Sequence, residues 1–416
     1  MSSPVIPAII SQHAEDVAFH WLLRDGAVYA PHYSLKELAK LDGRVEAHLD
    51  GLRIAGDAGW EICAGALTQE EPGEVFTAAI LAFESGDGSR IQTVVEVGLA
   101  KTELSRGLVS ALGWLSFENA EGRIRKLLAS EWPVIRRIGI AASAVHRRDP
   151  GTPLAEALSD DNPYLKARAL RAAGELGRTD LIPLVSRERE SGNAACRYGA
   201  AWSLAILGDA DAAEALWSFV KPDDDFAEEA VRIAMRRADP PKALLWQRAI
   251  AEDTQTRRLA AVGAGVIGDP VLLPWLFEQM KAPPLARAAG EAFTMITGVD
   301  IAYEDLEGER PEGFDAGPTE NPEDENVEMD PDEDLPWPDP ELVQGWWGRN
   351  RGQFRNGTRY LMGQPISSEH LNQVLRTGGQ RQRAAAALEL AISKPGIPLF
   401  EVRAPGFRQK TLLGIR

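Results

Sequence analysis

Between about residues 100 and 300 the chain repeats one pattern, a basic residue followed by small apolar residues at helical spacing. Arg106 opens Gly107-Leu108-Val109, Arg137 opens Ile138-Gly139-Ile140, and Arg168 opens Ala169-Leu170. Arg197, Arg258 and Arg287 repeat the layout, and Glu229 fills the remaining slot with the charge reversed. Successive anchors lie 31, 31, 29, 32, 29 and 29 residues apart. A period near 30 with this patterning predicts a helix-turn-helix unit. The punctuation agrees. Asp149-Pro150, Asp239-Pro240 and Asp269-Pro270 stop helices, since proline cannot continue one. Asp160-Asp161-Asn162-Pro163 starts one, with capping side chains before a first-turn proline. Each pair leaves an apolar face that the next pair must cover. The expected fold is all-α: an α-solenoid forming one right-handed cooperative stack without a β-sheet core.

The two ends read as caps on this array. Residues 12–25 predict an amphipathic helix with Val17 and Trp21 inward. Residues 34–52 predict a second, opened by Ser34 with Glu37 three positions later, a capping box. Its Leu38, Leu41, Val45, Leu49 and Leu52 form one apolar stripe. After Trp346-Trp347, a short helix over 368–376 and a run with Arg383 in the anchor slot predict a carboxy-terminal repeat. The following Leu399-Phe400-Glu401-Val402-Arg403 suits either a short strand or an extended tail. The boundaries expected are a helical cap over 1–99, the array over 100–303, an acidic Pro-rich linker over 304–341, and a basic repeat and cap over 342–416.

Charge sharpens those boundaries. The net charge of −17 is unevenly spread: residues 304–341 carry −16, residues 342–416 carry +9 and the first 303 carry −10. The acidic segment holds seven prolines and few aliphatic residues, so it is expected to be disordered and dispensable for folding. Two readings apply to it, a solvated linker or a charge mimic lying over a basic groove. With 44% hydrophobic and 26% charged residues the rest suits a globular chain. No run of 18 apolar residues occurs, and Met1 to Ile10 lacks the basic start of a secretory signal, so a cytoplasmic, membrane-free protein is expected.

Chemistry is sparse. His13, Asp16 and His20 share a helix face without the one-turn His pair of a metal helix, and Glu369-His370 is the sole adjacent Glu-His pair. They read as packing or hydrogen-bonding residues, with no metal and no cofactor. Cys63 and Cys196 are too few for a disulfide framework or a thiolate zinc site, and read as buried apolar residues. Gly86-Asp87-Gly88-Ser89 is a turn, lacking the ending of a phosphate loop, and no Gly-x-Ser-x-Gly elbow exists. No catalytic residue is expected. The anchors Arg106, Arg137, Arg168, Arg197, Arg258 and Arg287 form either a ligand-binding ladder or, the preferred reading, structural bridges to acids on neighbouring repeats. Trp114, Trp202, Trp217, Trp246 and Trp275 fall within the repeats and read mostly as core, with one or two free to anchor a partner.

The layout resembles HEAT repeats of the short bacterial kind. The amino-terminal His13-Ala14-Glu15-Asp16-Val17-Ala18-Phe19-His20-Trp21 and the carboxy-terminal Gly357-Thr358-Arg359-Tyr360-Leu361-Met362-Gly363-Gln364-Pro365 extend the likeness. Together they resemble a family of bacterial HEAT-repeat proteins associated with type VI secretion neighbourhoods. The resemblance implies a solenoid and brings no catalytic residues. The expected function is a noncatalytic interaction scaffold or adaptor, secretion-associated or effector-neutralising. Alternatives are a HEAT-like enzyme or nucleic-acid protein, such as a DNA glycosylase or a chromophore lyase; the −10 balance of residues 1–303 disfavours nucleic acid. The partner is expected to be another protein, seated on the inner surface formed by second helices. Trp202, Arg232, Arg236, Arg171, Glu175 and Ser203 are the expected contacts.

Overall fold

The computed structural model describes residues 6–314, 316–317 and 329–415. Its helices are α1 (Pro7–Ala27), α2 (Leu35–Ala55), α3 (Asp57–Ala66), α4 (Pro72–Ser85), α5 (Gly88–Ala100), α6 (Ser105–Trp114), α7 (Phe117–Leu128) and α8 (Pro133–Val145). Then come α9 (Thr152–Ala157), α10 (Pro163–Glu175), α11 (Ile182–Val185), α12 (Ala194–Leu207), α13 (Ala212–Trp217), α14 (Ala227–Arg237) and α15 (Pro240–Glu252). The rest are α16 (Arg257–Ile267), α17 (Leu273–Gln279), α18 (Pro283–Thr297), α19 (Pro340–Asn350), α20 (Ser368–Thr377), α21 (Gln380–Ser393) and α22 (Gly406–Leu413). One hairpin pairs β1 (Tyr360–Leu361) with β2 (Gln364–Pro365). The fold is an all-α solenoid of HEAT-like helix pairs. Contacts divide it into two compact units, residues 1–203 with 395–416, and residues 204–394.

In the first unit, α1 begins at Pro7, earlier than its periodicity suggests, because proline at the first helical position needs no hydrogen-bond partner. Helix α2 starts as expected: the Ser34 hydroxyl accepts from the Glu37 amide, and the Glu37 carboxylate accepts from the Ser34 amide at 2.9 Å. All five residues of its stripe are buried. A ring series, Trp21 to Phe76 at 5.7 Å and Phe76 to Trp114 at 5.5 Å, links α1, α4 and α6. Small residues permit this closeness. A Cβ on Gly107 would sit 2.5 Å from the Pro72 carbonyl oxygen. Successive second helices lie start beside start: Arg137 of α8 donates to Ser105 of α6 at 3.1 Å, and Cys196 of α12 to the Pro163 carbonyl of α10 at 3.4 Å.

Residues 395–416, expected to complete a carboxy-terminal cap with residues 342–394, pack in the first unit instead. Helix α22 lies against α2. Residues 399–403 form a turn-containing segment and not a strand, which settles the choice left open by their composition.

In the second unit, the hairpin closes the ends of two repeat helices. Tyr360 N–H donates to the Gly268 carbonyl just past α16 at 2.8 Å, and Met362 N–H to the Met295 carbonyl of α18 at 2.7 Å. Met362 and Gly363 both have positive φ, the two-residue turn geometry that matches strand twist. The 357–365 stretch is thus a plug for orphan helix carbonyls.

The expectation of a disordered linker over 304–341 is corrected at its two described ends. Leu306 and Leu335 are buried, and Gly308 N–H donates to the Trp337 carbonyl at 2.8 Å. The Asp339 amide returns to the Leu306 carbonyl at 2.9 Å. Composition counted prolines and charges; it missed that single apolar residues and arginine partners suffice to order these ends. Asp315 and residues 318–328 of that expectation lie outside the described residues.

Candidate functional site

The inner-surface residues chosen from the sequence fall in both units, and burial removes most of them as partner contacts. In the first unit Trp202 is 1% exposed and Ser203 is fully buried. The Ser203 hydroxyl donates to the Leu170 carbonyl at 2.6 Å and accepts from Gly174 N–H at 3.2 Å, bridging α10 and α12. The Arg171 guanidinium lies 3.5 Å over the Trp202 ring. Glu175 is buried and paired with Arg168 at 2.9 Å. Ser203 and the Arg171–Trp202 contact join repeats while Glu175 pairs within α10, and burial corrects the expectation that Trp202, Ser203 and Glu175 meet a partner. The physical reason is that small residues let α10 and α12 approach until this face is sealed.

The chain itself also covers this region. Leu399 N–H donates to the Glu175 carbonyl at 3.0 Å, and Arg147 reaches the Leu399 carbonyl and the Glu401 carboxylate, the latter at 3.1 Å. Burial pushes Glu401 and Glu175 toward the neutral form. Nearby arginines overcome it and hold both below the ordinary value of 4.5: Arg403 and Arg147 for Glu401, Arg168, Arg147 and Arg171 for Glu175. Their stabilisation is therefore complete above pH 4.5 and lost as pH falls through the depressed folded values. Asp42, pushed up by burial against the pull of Arg24, contributes with the opposite sign. Acid unfolding of the native chain below pH 4.5 should accordingly flatten in Glu401→Gln, read by circular dichroism; an identical acid limb in both would remove Glu401 from the account.

In the second unit Arg236 is buried, its Nε 3.2 Å from Glu389, which Arg359 also holds at 2.6 Å. Burial, opposed by Glu389, pushes the Arg236 guanidinium down to about 10, so it stays charged at neutral pH. Arg236 is corrected to a structural residue. Arg232 is half-buried and pairs with Glu228 at 2.7 Å.

The anchor arginines are all engaged. Arg106 pairs with Asp25, Arg137 with the Ser105 hydroxyl, Arg168 with Glu175, and Arg197 donates to the Ser191 carbonyl at 2.6 Å. Arg258 grips the Asp332 carboxylate with both terminal nitrogens, and Arg287 meets Asp330 and the Asp332 carbonyl. Arg106, Arg137, Arg258 and Arg287 thus bridge to other elements, with acids from α1 and the acidic segment, whereas Arg168 pairs within α10 and Arg197 with the turn just before α12.

The histidine cluster gains a member that spacing missed. His13 Nδ1 lies 3.0 Å from His48 Nδ1, and His20 stacks on His48 at 5.5 Å. Among the described residues no three candidate ligands are arranged to hold a metal ion. Burial pushes the Cys63 thiol up to about 12 and raises Cys196 as well, so both remain thiols at neutral pH.

Two strongly exposed aromatic residues lie elsewhere. Trp132 is 68% and Tyr164 73% exposed, each beside the first-turn proline of α8 or α10. Arg136 in the first turn of α8 pairs with Asp160 just before α10, so the two helix starts are neighbours. Val134 is exposed between them in sequence. The signal was present in both Trp132-Pro133 and Pro163-Tyr164, where an aromatic at a helix start precedes the buried stripe.

A family model described as HEAT repeats matches residues 151–236. No curated protein matches the chain. HEAT repeats commonly serve as scaffolds for protein partners, and the helix-pair architecture suits that role. Among the described residues no helix is long and apolar enough to cross a membrane.

Proposed function

We propose that the chain is a noncatalytic scaffold or adaptor that receives a protein partner on the repeat edge bearing Trp132 and Tyr164. The carrying observation is that two large rings stand exposed on neighbouring helix starts. Exposed tryptophan and tyrosine combine a large apolar area with a polar tip, and such residues dominate interface energies. The likeness of residues 13–52 and 357–365 to secretion-associated HEAT proteins supports a partner drawn from a type VI secretion apparatus, or an effector that the scaffold neutralises. The enzyme and nucleic-acid readings have less support, because the arginine row they would use is engaged with Asp25, Glu175, Asp330 and Asp332.

The test is affinity capture from the encoding organism, followed by titration of the recovered partner. Trp132→Ala and Tyr164→Ala should each weaken binding about tenfold or more. Their thermal midpoints should stay within a degree or two of the native chain, since neither ring is buried. Full affinity in the double variant would move the site off this edge.

A further inference from the structure

We propose that the arginine face made by α16, α18 and α21 is a binding groove for an acidic turn of a partner protein, and that residues 330–335 occupy it as an internal pseudo-ligand. This goes beyond the proposed scaffold role, and it concerns residues of the second unit alone, so it stands or falls independently of Trp132 and Tyr164.

The contacts have the form of recognition. Asp330 folds over its own chain, accepting from the Asp332 amide at 2.9 Å, and the Leu335 amide returns to the Asp332 carbonyl at 2.9 Å. The resulting turn directs two carboxylates and two carbonyls toward three arginines. Arg258 takes the Asp332 carboxylate in a forked contact. Arg287 takes the Asp330 carboxylate and, at 2.8 Å, the Asp332 carbonyl. Arg381 donates to the Pro331 carbonyl at 2.8 Å while its other arm is held by Glu291 at 2.9 Å. Asp332 is only 4% exposed, and Leu335 is buried three residues later. Forked arginine contacts read planar carboxylates, and the carbonyl contacts read peptide backbone, which a nucleic-acid phosphate cannot supply. The matching partner chemistry is an Asp-Pro-Asp turn with an aliphatic residue three positions after the second aspartate.

The hold on the internal turn is of a kind that can be exchanged. Arg258 retains partial solvent access, as does Glu228 beside it. The segment is tied at its base by the pairing of Leu306 and Gly308 with Trp337 and Asp339, and Trp337 lies 4.4 Å beneath the Arg287 guanidinium. Tethering raises the effective concentration of the internal turn, so a free peptide competes poorly until that turn is weakened. Screening by salt should loosen the internal and the added turn alike.

The experiment uses the full chain and a fluorescein-labelled synthetic peptide with the sequence of residues 329–338. Fluorescence anisotropy should register binding to Asp330→Ala/Asp332→Ala, and binding at least tenfold weaker to the native chain. Adding Arg258→Ala and Arg287→Ala to the double variant should abolish the signal, as should replacing the peptide's Asp330 and Asp332 by asparagine. A single Asp332→Asn variant, which keeps the shape of the turn, should bind the peptide at an intermediate level. A folded double variant that ignores the peptide would overturn the proposal. So would unfolding of both Asp332→Asn and the double variant, because the turn would then be an inseparable part of the unit. Equal displacement by a single-stranded oligonucleotide would overturn its peptide specificity.

Discussion

Arg236→Glu should lower the thermal midpoint of the second unit by about 10 °C or more, whereas Arg232→Glu should move it by no more than about 2 °C. The two arginines lie one helical turn apart on α14, and both looked like partner contacts in the sequence. Their surroundings differ. The Arg236 side chain is 3% exposed and faces Glu389, itself 7% exposed and shared with Arg359. Substitution by glutamate would bury two carboxylates against each other. Breaking a buried pair costs roughly 3–5 kcal/mol, because the remaining charge is left in a poor solvent. For a unit of this size each kcal/mol shifts the midpoint by roughly 2–4 °C. Arg232 pairs with Glu228 four residues earlier on the solvent side, a contact of a class worth about 0.3–0.5 kcal/mol. Calorimetry on both variants tests this, and equal small shifts would mean that the Arg236–Glu389 pair contributes little.

Removing residues 395–416 should destabilise the first unit by several kcal/mol, a large share of the roughly 5–15 kcal/mol that holds a domain together. The tail completes buried pairs that the rest of the chain leaves open. Asp42 is fully buried, accepts from Arg24 Nε at 2.6 Å and receives the Gly406 amide. Arg24 also donates to the Arg403 carbonyl at 2.8 Å. Arg408 caps the end of α6 through the Leu115 carbonyl at 2.7 Å, and Phe407 stands edge-on to Trp114 at 6.0 Å. Truncation would strip these partners and wet the Trp114 ring. A narrower variant probes the same clasp. A Cβ on Gly406 would meet the Ala39 backbone at 2.7 Å, so Gly406→Val should reproduce much of the loss. Thermal melting and protease resistance report the outcome; a truncated chain melting within a few degrees of the native one would show the tail to be ornamental.

Features set by near neighbours were legible. The capping box joins Ser34 to Glu37, and the stripe from Leu38 to Leu52 follows helical periodicity, so each was readable from a short window. The repeat period needed only comparison of the chain with itself. The contact residues were less legible. Trp202 and Trp132 are the same residue type in repeats two apart along the array. One is sealed between packed helices, while the other stands beside a first-turn proline in solvent. Proline spacing located the turns, but exposure depends on which helices close around them.

The helix pairs, their period of about 30 residues and the small faces that let them stack are written in the chain, because they follow from backbone propensity and local apolar spacing. Tertiary structure decided which charges are ligands and which are struts. Asp42 meets Gly406 across 364 residues, and Arg258 meets Asp332 across 74. No local pattern specifies such pairs. A charged side chain is equally at home in water or beside an opposite charge, and only the folding of distant segments over the arginine rows removes the water and makes the second choice.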